Sequence, residues 1–127
     1  MYKVQVKNKG KSEVYVKSPS GEFVIDTEAK SSVAPLDAFL ASLGACISYY
    51  IRKFAASANI QIDLFTVDVE AELVSDKGYR FKDLRVSIDL NGANIDDARK
   101  QSLLQFVKNC PVHNTLRNSP EIDIKIA

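Results

Sequence analysis

Two cysteines and one histidine are all that the 127 residues contain of those types, neither sign of charge is in excess, and no apolar run is long. Each scarcity excludes something. With 17 Lys and Arg against 16 Asp and Glu the net charge is +1, whereas a phosphate-binding surface needs basic residues in surplus on one face, so no nucleic acid is expected as partner. The most apolar stretch, Ala38 to Ile51, covers 14 residues and is interrupted by Ser42, Gly44 and Ser48, which reads as a buried helix and leaves no membrane span. The chain starts MYKVQVKNKGK, with no apolar stretch of signal-peptide length behind its first charges, so a cytoplasmic location is expected. In a reducing compartment two cysteines are no disulfide framework; they are inert core, catalytic or redox-sensing. Cys46 and Cys110 are 64 residues apart and His113 follows by 3, a spacing that matches no usual structural zinc pattern, so no metal site is expected.

What is present is the composition of a globular domain: 46% apolar and 26% charged residues, in a chain of single-domain length covering 1–127. Residues 1–30 alternate in short runs (Val4 and Val6, Val14 and Val16, Phe23 and Ile25) separated by Asn8-Lys9-Gly10 and Ser18-Pro19-Ser20-Gly21, which predicts a three-stranded antiparallel meander. Pro35 stands where a first helical residue would, with Asp37 suited to the positive end of the helix dipole. Leu36, Leu40, Leu43, Ile47, Tyr50 and Phe54 then recur at helical spacing, predicting a central helix over 35–58 of about 36 Å. Small residues on its other faces permit close approach by neighbours.

Alternation from Phe65 to Leu73 and again from Leu84 to Leu90, around Ser75-Asp76-Lys77-Gly78, predicts a β-hairpin over 62–91. Asn94 is a candidate cap for helices over 95–117, the second of them starting at Pro111, and Ile122, Ile124 and Ile126 alternate as a terminal strand over 121–126. The fold class is α+β, with an antiparallel sheet packed on a long central helix.

Cys46 falls at about 80° from the centre of the helix's apolar stripe, at its edge, where a half-sheltered thiol suits an apolar substrate; the same position also suits a small core hydrophobe. Cys110 directly precedes Pro111 and so becomes the N-cap of a helix, where free amides and the dipole lower a thiol pKa and favour redox chemistry. His113 could pair with a cysteine or simply pack in a short helix.

Two segments together resemble the signature of the OsmC/Ohr family, the osmotically inducible and organic hydroperoxide resistance proteins. PLDAFLASLGAC, Pro35 to Cys46, is similar to the family's helix that opens with proline and carries a cysteine eleven places later. CPVHNTL, Cys110 to Leu116, is similar to its second cysteine motif, where Ser is usual at the position of His113. The resemblance implies an intertwined homodimer with sites at the subunit interface. It implies that Cys46 attacks a small organic hydroperoxide and that Cys110 resolves the sulfenic acid as a disulfide, which an external dithiol reductant such as a lipoyl group reduces. It implies no bound cofactor.

The chain also departs from the peroxidase pattern. The family's arginine from the N-terminal strands is missing, since Arg52 is the first arginine, and Leu36 stands at 46 − 10, the position of the family's glutamate. Lys9 or Lys11 lies in the turn that would replace the arginine, and Asp37 is one place late and suits a dipole role. Two readings follow: a thiol-dependent peroxidase, or a noncatalytic module binding a small apolar or thiol-reactive ligand at the dimer interface. A third, a cysteine hydrolase using His113, rests on residue type alone.

Overall fold

The alternating first segment forms three strands in the computed structural model, which describes residues 1–127: β1 (Gln5–Asn8), β2 (Glu13–Ser18) and β3 (Gly21–Asp26). They pair antiparallel in the order β1-β2-β3, with Val6 opposite Val16 and Val16 opposite Phe23. Period two puts Val14 and Val16 on one face, and both are buried. In the first turn the Asn8 side chain accepts from the Gly10 amide at 2.7 Å and donates to the Lys11 carbonyl at 2.9 Å, while Gly10 takes φ +100°, a conformation open to glycine.

β3 ends on Asp26, whose buried carboxylate gathers the loop that follows. It accepts from the amides of Glu28, Lys30 and Ser31 and from the Ser31 hydroxyl, at 2.9–3.1 Å, and so holds Ala29 at a positive φ of 56°. These donors, the Glu28 amide foremost, hold the carboxyl far below the usual carboxylate range. Because the folded pKa lies under the unfolded value of about 3.9, the stabilisation is complete above that pH and is lost only as pH falls through the lower, folded value. Asp26→Asn places an amide N–H among these donors. Amide exchange over 27–33 should then quicken, and the stability gap to wild type, followed by chemical denaturation, should hold from neutral pH to about pH 4 and close only in stronger acid. A gap that closes already at neutral pH would contradict this.

The chain divides into two compact units, Met1–Ala41 and Ser42–Ala127, where the sequence reads as one domain. The long helix α1 (Pro35–Ser57) begins in the first unit, and its start is as expected: Pro35 is its first residue and Asp37 reaches back to accept from the Ala34 amide at 3.2 Å, one half of a capping box.

In the second unit the remainder of α1 is followed by β4 (Thr66–Ser75), β5 (Tyr79–Asp89), α2 (Asp97–Phe106), a 3-10 turn (Val107–Asn109) and α3 (Pro111–Arg117). Leu43, Ile47, Ile51 and Ala55 of α1 form its core with Ile62, Leu103, Val107 and Cys110. Val67, Val69, Leu84 and Ile88 of the hairpin lie against that core, so an antiparallel pair of strands does pack on the helix. The backbones come close at Gly44, where an added Cβ would stand 3.3 Å from Cγ2 of Val69. β4 and β5 form a sheet of their own in addition to β1-β2-β3, each group of strands joined by short turns and completing its ladder locally, within the expected α+β class.

Four further details differ from expectation. The buried stripe of α1 runs through Ile51 and Ala55 and leaves Tyr50 and Phe54 half-buried and Leu36 exposed. A bulge between Ala71 and Leu73 shifts the register, so Val74 is half-buried and Leu73 exposed. α2 starts two residues later than Ile95, because Asp96, in extended conformation, caps it by accepting from the Arg99 amide at 2.8 Å. Residues 119–127 form no strand, and Ile122, Ile124 and Ile126 are 81%, 86% and 97% exposed. The alternation is there, but a strand needs a neighbour to complete its hydrogen-bond ladder, and no strand of this chain supplies one.

Candidate active site at the paired thiols

Cys46 sits in the middle of α1, one residue before the buried Ile47, and is half-buried at the edge of the core. Cys110 is fully buried, at 0% exposure, between the 3-10 turn and α3. Its backbone is non-helical (φ −55°, ψ 122°), its amide donates to the Val107 carbonyl at 3.2 Å, and its sulfur accepts from the His113 amide at 3.4 Å. Cys-Pro is therefore an N-cap followed by a first helical residue that has no N–H to satisfy. Both cysteines are free, and the two thiols, 64 positions apart in sequence, lie within hydrogen-bonding reach of each other.

The N-cap was expected to lower the Cys110 pKa. The geometry is as expected, but the result is the reverse: burial pushes the thiol up, the Cys46 thiol beside it adds to that, and the His113 amide offsets only part. An amide dipole acts on one face of the sulfur, whereas desolvation acts all round it. Cys110 thus rests as a protonated thiol.

His113 is half-buried and contributes its backbone amide, not its ring, to Cys110. Its Nδ1 is buried with no hydrogen-bond partner, so that nitrogen bonds neither sulfur. Asp37 is occupied at the start of α1 by the Ala34 amide. The Lys9 ammonium stands 4.6 Å over the Tyr15 ring, and Lys11 is exposed and joins the first turn through its carbonyl. Arg52 donates to the carbonyls of Ile62 and Asp63 and stacks 4.8 Å from the Phe65 ring, which ties the end of α1 to the segment after it. No three His, Cys, Asp or Glu side chains converge as metal ligands, and no helix is long and apolar enough to cross a membrane.

Sequence reasoning missed Tyr50. It lies four residues after Cys46, on the same side of α1, and packs on the core that contains Cys110, its ring edge-on to Tyr49 and Phe106 at 5.1 and 5.8 Å. Burial first, then the neighbouring Cys46, Tyr49 and Cys110, push its hydroxyl pKa upward. The four-residue spacing from Cys46 was the available signal; Tyr50 reads instead as part of the apolar stripe.

The chain is an α+β protein with one free thiol on its long helix and a second, buried one beside it. The chain belongs to the OsmC-like protein family, whose profile matches residues 28–125. It is 26% identical over 103 residues to a hydroperoxide reductase of Mycoplasma genitalium, a match that covers 79% of this chain and 73% of that protein. In fold it is similar to an OsmC-like protein of Mycoplasma pneumoniae, with a TM-score of 0.79, 19% identity and coverage of 94% and 89%. It is likewise similar to an organic hydroperoxide resistance protein of Legionella pneumophila, with a TM-score of 0.64, 19% identity and coverage of 92% and 89%.

Proposed function

We propose that the protein is a thiol-dependent peroxidase that reduces organic hydroperoxides through Cys46 and Cys110, acting in the cytoplasm as a homodimer with an external dithiol as reductant. The observation that carries this reading is the contact between the two thiols, one half-buried at an apolar edge and one fully buried. The hydroperoxide names borne by the relatives in Mycoplasma genitalium and Legionella pneumophila support the substrate class. Cys46 attacks, because its sulfur is the more accessible and Cys110 is held protonated by burial; Cys110 resolves.

The dimer is supported by large apolar side chains that one chain leaves exposed: Leu36 at the start of α1, and Ile122, Ile124 and Ile126 beyond α3. Light scattering at micromolar concentration should give twice the chain mass, and a monomeric mass would contradict this part of the proposal.

The reading is tested by anaerobic thiol counting with one equivalent of cumene hydroperoxide and, in parallel, hydrogen peroxide. Both thiols of each chain should be lost with the organic substrate, and more slowly with hydrogen peroxide. A second reading, a noncatalytic binding module, is favoured by Leu36 at the glutamate position and by the commitment of Arg52 to backbone carbonyls. Reaction no faster than that of free cysteine at the same pH would replace the peroxidase with that module.

A further inference from the structure

We propose that the Tyr50 hydroxyl is a further catalytic group: it gives a proton to the departing oxygen of the hydroperoxide and recovers one from the Cys110 thiol. This deepens the peroxidase reading and rests on it. Three observations place the phenol. Tyr50 stands one turn beyond Cys46 on the same side of α1. It is half-buried against the core to which Cys110 belongs. Its ring packs edge-on against Tyr49 and Phe106, with interplanar angles of 87° and 63°, which restrains the ring.

The electrostatics agree with that placement. Burial first, and then charge on either sulfur, opposes charge on the phenol oxygen, so Tyr50 is a neutral donor at neutral pH and both sulfurs lie within its electrostatic reach. The other titratable side chain near Cys110, His113, has a ring nitrogen that meets neither sulfur. Tyr50 is thus placed to exchange a proton at both thiols.

The Cys46 thiolate attacks the terminal oxygen of ROOH; the O–O bond breaks as the S–O bond forms, sulfur is oxidised to sulfenic acid and the peroxide is reduced. The terminal oxygen keeps its hydrogen, and the other oxygen leaves as alkoxide, taking the proton of Tyr50 to become ROH. The phenolate takes the proton of the Cys110 thiol. The Cys110 thiolate then attacks the Cys46 sulfur, the disulfide forms, and the hydroxide that leaves takes up, through solvent, the proton that the Cys46 thiol released on becoming a thiolate, giving water. A buried, protonated resolving thiol is thus deprotonated only after the first step has made the base that does it.

Tyr50→Phe removes the hydroxyl and keeps the ring. Stopped-flow rates of sulfenic acid formation should be compared for cumene hydroperoxide, whose alkoxide must be protonated on leaving, and for peracetic acid, whose carboxylate need not be. The variant should lose about 100-fold with the hydroperoxide and less than about threefold with the peracid. An equal loss with both would reduce Tyr50 to a packing role, and no loss with either would leave it no role; each overturns the proposal while the peroxidase stands. A wild type that reacts with neither faster than free cysteine overturns the peroxidase reading, and the Tyr50 assignment with it.

Discussion

Cys46→Ser is expected to consume no organic hydroperoxide, whereas Cys110→Ser should consume about one equivalent and stop, with a sulfenic acid on Cys46 that dimedone traps. The asymmetry follows from the surroundings of the two sulfurs. Cys46 is half-buried on the rim of an apolar core, so a hydroperoxide can approach it with its organic part against apolar side chains. Cys110 is sealed from solvent, and burial together with the neighbouring thiol keeps it protonated, so it meets an oxidant only as one already attached to Cys46. Turnover in the presence of a dithiol should fall by at least about two orders of magnitude in either variant, because the disulfide cycle needs both sulfurs. The single-turnover burst distinguishes them. A burst in Cys46→Ser and none in Cys110→Ser would reverse the roles and show that the N-cap amide outweighs desolvation.

The largest expected effect on stability comes from Ile51→Ala. Ile51 lies at 0% exposure on α1, between Ile47 and Ala55 in the core against which the hairpin and α2 pack. Its neighbours belong to separate elements and cannot all close on the space left behind, so the cost includes both transfer and cavity, about 3–4 kcal/mol. Thermal unfolding should then move down by roughly 10–15 °C, whereas Tyr49→Ala, on the exposed side of the same helix, should move it far less. Comparable shifts in the two variants would contradict the assignment of the core.

How much of this was legible in the sequence varied with the physics behind each signal. α1 was legible because proline, an acidic third residue and apolar spacing all agree on one helix, and it ends at Ser57, one residue before the expected limit. The three N-terminal strands and the hairpin were legible from period-two alternation and turn residues, but not their division between two sheets, since alternation says which face is buried and not which edges meet. The bulge at Ala71 and the choice of Asp96 over Asn94 as cap turn on single-residue geometry that periodicity does not resolve. The isoleucines at 122, 124 and 126 carry a strand pattern whose ladder depends on a neighbour that this chain does not provide.

At the site, Cys110 as N-cap was legible from Cys-Pro, while the direction of its pKa was not: the cap is local in sequence, but the burial that overrides it is built from α1 and α2, far away in the chain. The contact between Cys46 and Cys110 came from the resemblance of two motifs and not from spacing. Tyr50 was hidden because a tyrosine in an apolar stripe looks like any other core ring until its neighbours are known.

The central claim is that Cys46 and Cys110 of one chain form a redox pair, and the most direct measurement is peptide mapping by mass spectrometry after one equivalent of cumene hydroperoxide, without reduction. The account predicts a crosslinked peptide joining Cys46 to Cys110, with the intact chain lighter by about 2 Da and no link between chains. Contradiction would be a chain that keeps Cys110 as a free thiol and carries sulfinic or sulfonic acid on Cys46, or one that returns both cysteines unmodified.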